Sequence, residues 1–262
     1  MTLSIHDAFR RRLDHGRAAL VPYVTAGFPG PDDTVTVLAA LADAGADVLE
    51  VGIPFSDPLA DGPTIQRSSF RSLENGTTVP RVLEAVRAFR AERETPVVLF
   101  TYLNPMLRYG LDAFLEDAAE AGAQGVLLTD LPTGSDPEME ARVTGSRLDL
   151  IRLVAPTTPL HRVAGVASGG RGFLYYISRT GVTGARSELS ATLAREVEAV
   201  REAVDLPVAV GFGISTPEQA RVVAEAADGV VVGSALVEEL DTGGVEAAAR
   251  FLASLRRGMD AG

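Results

Sequence analysis

The chain has 262 residues, 46% of them hydrophobic, no cysteine and a formal net charge of −11. It can therefore bury a large core, it excludes disulfides, thiolate metal sites and cysteine nucleophiles, and it is a poor electrostatic match for nucleic acid. All 24 residues in the Lys and Arg total are arginine, which removes lysine-imine aldolase chemistry and a covalent pyridoxal phosphate site from this chain.

From the N-terminus, residues 1–12 lack a signal-like apolar stretch and no later run reaches the ~18 residues of a membrane span, so the expected location is the cytoplasm. Residues 5–13 carry an amphipathic helical period and are expected to lie as a helix across one end of the fold, plugging a barrel floor. Short apolar runs punctuated by Gly or Pro then recur at 19–25, 48–53, 97–102, 125–129, 150–155, 173–178, 208–212 and 230–233. Helical periods occupy 32–44, 79–92, 111–121, 137–147, 160–167, 191–204, 217–226 and 235–257. Strands alternating with helices imply a parallel sheet. The junctions Asp43-Ala44-Gly45-Ala46, Glu120-Ala121-Gly122-Ala123 and Ala227-Asp228-Gly229 echo one another, each ending a helix with glycine before a strand. Eight such units in one composition regime predict an α/β fold, a single (β/α)8 TIM barrel with an extra N-terminal helix, one domain over residues 1–262. An open doubly wound sheet is the competing architecture.

In a barrel the active site lies at the carboxyl ends of the strands, and the polar residues collect there: Tyr23 and Thr25, Glu50, Tyr102 and Asn104, Thr129 and Asp130, Tyr175 and Ser178. Glu50 shares its strand parity with Val48 and Gly52, so its carboxylate points into a covered interior, where it is costly unless it has a task. Asp57 and Asp61 follow on a loop restricted by Pro54 and Pro58. Three carboxylates within twelve residues favour an active site over a structural ion pair. Of the two better placed, Glu50 is the deeper and is expected to have the raised pKa, whereas Asp61 is expected to stay ionised and accept a hydrogen bond.

Further along, Gly211-Phe212-Gly213-Ile214-Ser215-Thr216-Pro217-Glu218 leads from a strand into a helix, and Gly233-Ser234 does the same after the last strand. Paired glycine turns at helix N-termini after strands seven and eight predict a phosphate site at Gly213, Gly233 and Ser234. Residues 178–187 form a polar segment with two glycines that reads as a mobile lid, with Thr183 able to orient a catalytic carboxylate. The three histidines, His6, His15 and His161, are scattered, so no histidine metal cluster is expected, and an all-carboxylate Mg²⁺ site is the residual metal option. What is left is acid–base chemistry on a phosphorylated substrate, a carbon–carbon cleavage or an isomerisation, with Tyr23, Tyr102 and Tyr175 available to an aromatic or polyol moiety.

These residues resemble the tryptophan synthase alpha chain family. The resemblance runs through Leu49-Glu50-Val51-Gly52-Ile53-Pro54-Phe55-Ser56-Asp57-Pro58-Leu59-Ala60-Asp61-Gly62 into Pro63-Thr64-Ile65-Gln66, and includes Pro22-Tyr23-Val24-Thr25-Ala26-Gly27, Asp130-Leu131-Pro132, Ser178-Arg179-Thr180-Gly181-Val182-Thr183-Gly184 and the two glycine turns. It implies reversible retro-aldol cleavage of indole-3-glycerol phosphate to indole and glyceraldehyde 3-phosphate, a lyase step in tryptophan biosynthesis that needs no metal or cofactor in this chain. By the family's pattern Glu50 protonates indole C3 and takes the glycerol hydroxyl proton, Asp61 holds the indole N–H, and Thr183 positions Asp61. By the same pattern Gly184, Gly213, Gly233 and Ser234 are expected to bind the phosphate and Tyr175 to approach the glycerol phosphate. The family's apolar indole slot implies Phe100, Leu127, Phe212 and Val232 as its expected lining, with Tyr23 where the family often has Phe and Thr129 where some members have Ala. The resemblance further implies a beta chain carrying pyridoxal phosphate, in an α₂β₂ heterotetramer, contacted through Pro54, Asp57 and Pro58. A stand-alone indole-releasing lyase, another phosphate-binding barrel enzyme and a catalytically silent regulatory subunit are the rival readings.

Overall fold

The computed structural model describes residues 3–177, 186–211 and 213–261, the side chains of residues 186–191 excepted. Thr183, Gly184 and Phe212, and most of the segment read as a lid, lie outside the described residues. In chain order the elements are α1 (Ile5–Leu13), β1 (Ala19–Thr25), α2 (Thr34–Asp43), β2 (Leu49–Gly52), α3 (Pro63–Glu74), α4 (Val79–Glu92), β3 (Val97–Thr101), α5 (Leu103–Tyr109), α6 (Leu111–Glu120) and β4 (Gly125–Leu128). There follow α7 (Pro137–Thr144), β5 (Asp149–Val154), α8 (Leu160–Ala167), β6 (Leu174–Ile177), α9 (Arg186–Glu202), β7 (Val208–Gly211), α10 (Pro217–Ala226), β8 (Gly229–Val232) and α11 (Ser234–Asp260). The strands close in sequence order into a parallel barrel, with β1 pairing both β2 and β8. The barrel with its N-terminal helix is the architecture the alternation of periods predicts.

Strand parity divides the core in two. Residues such as Leu20, Val51, Leu99, Val126 and Val230 face outward and pack under the helices. Ala19, Val21, Val48, Val98, Leu127, Ile151, Ala209 and Val231 point inward, joined from below by Ile5 and Phe9 of α1. The Phe9 ring stacks on Phe173 with centroids 5.1 Å apart, so α1 closes the amino end of the barrel and the open end is left for chemistry. The local signals for α1 are consistent with this. Ser4 caps it by accepting the Asp7 N–H at 3.1 Å, and three arginines occupy its last turn.

Two helices have no counterpart in the apolar periodicity. α3 buries Ser68, Ser69 and Ser72 together with Ile65, so its inner face is made of hydroxyls and leaves little hydrophobic signal. α5, with seven residues, is too short to show a period. α9 starts at Arg186, five residues before the expected 191.

The loop after β4 is held by Glu140 of α7. One carboxylate oxygen accepts the Gly134 N–H at 2.5 Å and the other accepts from the Arg152 guanidinium at 2.6 Å. Arg152 is 5% exposed. Glu140→Ala strands that charge, and destabilisation by ~3–5 kcal/mol is expected in urea unfolding; a loss under ~1 kcal/mol would mean that Arg152 finds water or another acceptor.

Candidate active site

At the carboxyl end of the barrel a cavity of about 720 Å³ is lined by residues from all eight strands or the loops that follow them. It brings together nine of the residues singled out from the sequence: Tyr23, Glu50, Asp61, Phe100, Thr129, Tyr175, Gly213, Gly233 and Ser234. Each inward residue sits one pleat above the barrel-filling layer, which follows from the two-residue period of the strands.

Glu50 is the deepest polar group. It is 1% exposed, lies level with Tyr23 on β1 and Val98 on β3, and its Oε1 has no hydrogen-bond partner among the described residues. Burial alone pushes its carboxyl up to about 8, which keeps it protonated at neutral pH. Asp61 is half-buried on the loop between β2 and α3. Its backbone is held by Gln66, whose side-chain amide donates to the Asp61 carbonyl at 2.9 Å, and by its own N–H, which donates to the Pro58 carbonyl at 3.1 Å. Burial lifts its carboxyl to about 6 against the opposing effect of the Tyr102 hydroxyl. The two carboxyls are thus separated in the order expected, although Asp61 too lies above the ordinary range. One enclosed acid and one mostly ionised carboxylate share a cavity, which is what general acid–base catalysis near neutrality requires.

Tyr102 is buried and stands behind Asp61 without lining the cavity. Its hydroxyl accepts the Ala60 N–H at 3.0 Å, which leaves its proton available to Asp61. Tyr175 leans over Gly211 of the neighbouring strand, where an added Cβ would collide with the phenol oxygen. Tyr23 stands in the same relation to Gly52.

Two expectations for the slot are corrected. Val232 packs outward against the helices, and Val231 points into the barrel and lines the cavity; a single step along β8 exchanges the faces. Leu127 lies inside the barrel but one layer lower, fully buried in the cluster that includes Phe9 and Val98, while Thr129, two residues on, reaches the cavity. The apolar lining that sequence reasoning missed consists of Ile65, Leu153, Ile177, Ile214 and Val231. The signal for Leu153 and Ile177 was their shared parity with Ile151 and Tyr175.

After β7 and β8, Gly213 adopts φ +68° and Gly233 precedes α11, whose first residues Ser234 and Ala235 line the cavity. No side chain caps that helix end, so its first N–H groups are free to receive an anion. The neighbouring α10 is closed by a capping box between Thr216 and Gln219. Of the residues read as a partner contact, Asp57 is exposed whereas Pro54 and Pro58 are buried. Between them and the cavity Leu59 is 93% exposed. Among the described residues no group of three or more His, Asp or Glu side chains is arranged to hold a metal ion.

The sequence model of the family described as tryptophan synthase alpha chain matches residues 9–260. A tryptophan synthase alpha chain of Geobacter sp. (strain M21) is 53% identical over 234 residues, covering 89% of this chain and 88% of that one. The crystal structure of tryptophan synthase subunit alpha from Legionella pneumophila str. Paris superposes with a TM-score of 0.89 at 40% identity over 98% of both chains. A structure of tryptophan synthase from M. tuberculosis, in an aminoacrylate-bound form, superposes with a TM-score of 0.86 at 38% identity, covering 97% of this chain and 98% of that one.

Proposed function

We propose a catalytic assignment that proceeds from one premise: this chain belongs to the tryptophan synthase alpha chain family. As a member it is a carbon–carbon lyase of tryptophan biosynthesis, the alpha subunit that cleaves indole-3-glycerol phosphate reversibly to indole and glyceraldehyde 3-phosphate. The family works with a beta chain, and pyridoxal phosphate belongs to that chain.

The observation that carries the residue assignment is the pairing of an enclosed, protonated Glu50 with an ionised Asp61 on one cavity. In this reading Glu50 gives its proton to indole C3. Positive charge develops at the ring nitrogen, where Asp61 accepts the N–H and stabilises it. The Glu50 carboxylate then takes the proton of the glycerol hydroxyl as the carbon–carbon bond breaks. The bonding pair returns to the indole ring, the hydroxyl carbon becomes the aldehyde, and Glu50 ends the cycle protonated. Tyr102 holds Asp61 in place, and Phe100, Ile177 and Val231 give the indole apolar walls. Tyr175 approaches the glycerol phosphate, and Gly213, Gly233 and Ser234 receive the phosphate at the open end of α11. Thr183, Gly184 and Phe212 keep the roles that the sequence resemblance implies.

The same reading takes residues 1–262 as one catalytic domain in the cytoplasm, with no cofactor of its own, in an α₂β₂ assembly. The almost fully exposed Leu59 beside Asp57 supports a protein contact at this loop. The shared carboxylate cavity disfavours a catalytically silent subunit. Indole release from indole-3-glycerol phosphate, measured with and without a beta chain, tests the whole assignment. Slow release that the beta chain greatly accelerates supports it, fast release by the free chain points to a stand-alone lyase, and no release under either condition overturns it. For the phosphate site, Gly213→Asp sets a negative charge against the dianion. KM is expected to rise about 10- to 100-fold with a smaller change in kcat; unchanged KM would move the phosphate elsewhere.

A further inference from the structure

Three phenols surround the two carboxyls, and their electrostatic environments differ. Tyr102 is influenced by Asp61, Tyr175 by Glu50, and Tyr23 by both, Asp61 more strongly than Glu50. Tyr23 lies level with Glu50 in the sheet, and its hydroxyl end leans over Gly52, toward the loop that carries Asp61. Its ring is fixed edge-on against Phe100 with centroids 5.2 Å apart. Burial holds the phenol above its ordinary pKa range, so it remains a donor at every pH at which the site works.

The direction of its hydrogen bond follows from counting protons. Ser68 Oγ donates to the Ile65 carbonyl at 2.8 Å. Its contact with Thr25 Oγ1 at 2.7 Å must then be donated by Thr25, because a hydroxyl has one proton. Thr25 in turn can only accept from Tyr23, and that contact is 3.4 Å long, beyond the range of a good O–H···O bond. The Tyr23 proton is therefore directed away from the carboxyls by a bond weak enough to break easily.

We infer that Tyr23 is a positioning residue of this site: a hydroxyl donor shared by Glu50 and Asp61, resting on Thr25 and turning to whichever carboxylate carries the charge. The inference rests on Glu50 and Asp61 being the acid–base pair. During cleavage Glu50 loses its proton in a buried setting where its Oε1 has no partner among the described residues. A donor that swings toward it at that moment stabilises the carboxylate without holding it ionised beforehand. Among the described residues the groups acting on Tyr23 are Asp61, Glu50, Thr25 and Tyr102, and no arginine contributes to the shift of either carboxyl.

The test is titration of the carboxyl carbons of Glu50 and Asp61 in carbon-13-labelled protein, assigned with Glu50→Gln and Asp61→Asn. Tyr23→Phe removes the donor and is expected to raise the apparent pKa values of the pair by about half a unit to one unit. Thr25→Val removes the resting acceptor, frees the proton and is expected to lower them. In the double variant the effect of Thr25→Val should vanish, and the limbs of the kcat profile should move with the titration. Unmoved carboxyls in Tyr23→Phe overturn the inference, as does a Thr25→Val effect that persists without the phenol. The titration is independent of turnover, so a protein that fails to cleave indole-3-glycerol phosphate defeats the proposed reaction, and unmoved pKa values defeat the role of Tyr23.

Discussion

Glu50→Gln lowers the rate of indole release by about 10³-fold or more while leaving the affinity for a glycerol phosphate ligand within a few-fold, since the amide keeps the volume but moves no proton. The same substitution changes stability in a direction set by burial. The Glu50 carboxyl is raised from 4.5 to about 8, so the folded state binds this proton more tightly than the unfolded chain does. That contribution is complete below the unfolded value and is lost as pH rises through about 8. Wild-type stability should therefore fall by ~2–3 kcal/mol from pH 6 to pH 8 through this group, and the Gln variant should show a flatter curve. Denaturant melts across that window read the effect directly. Rapid turnover by the variant would refute the acid–base role, and an unchanged pH slope would show that Glu50 is ionised in the folded protein.

Asp61→Asn is the second large effect, with kcat expected to drop about 10²- to 10³-fold, the usual loss when a group that stabilises developing charge is removed. Asn still accepts a hydrogen bond from the indole N–H but brings no negative charge to it, so KM should change far less than kcat. Wild-type activity should decline on the acid side near the Asp61 value of about 6, because the protonated acid cannot balance a cation. That limb should be absent from the residual activity of the variant. A limb that persists in Asp61→Asn belongs to another group, and a kcat within a few-fold of wild type would remove Asp61 from the mechanism. Glu50→Gln and Asp61→Asn together should cost less than the sum of their separate losses, because the two groups serve one transition state.

Much of this was legible along the chain because it depends on local periods. The two-residue period of Val48, Glu50 and Gly52 places the carboxylate inside, and the succession of strand and helix periods specifies a parallel sheet, for which eight regular units favour a closed barrel over an open sheet. The absence of lysine excluded an imine, and the glycines after β7 and β8 drew attention to the turns where the phosphate site is proposed. α3 escaped notice because a helix that packs through Ser68, Ser69 and Ser72 has no apolar stripe, and those hydroxyls acquire meaning only where Thr25 and the Ala26 carbonyl just beyond β1 meet them.

Sequence alone determined the fold class and the family and singled out the two carboxyls proposed to act, since each rests on residue type and short spacing. Tertiary structure decided the rest. Whether Val231 or Val232 faces the cavity depends on the register of β8 against β1 and β7, and the depth of Leu127 depends on the stagger with which all the strands close. The separation of Glu50 from Asp61 depends on enclosure, because a carboxyl rises to about 8 only when the whole barrel removes water from it.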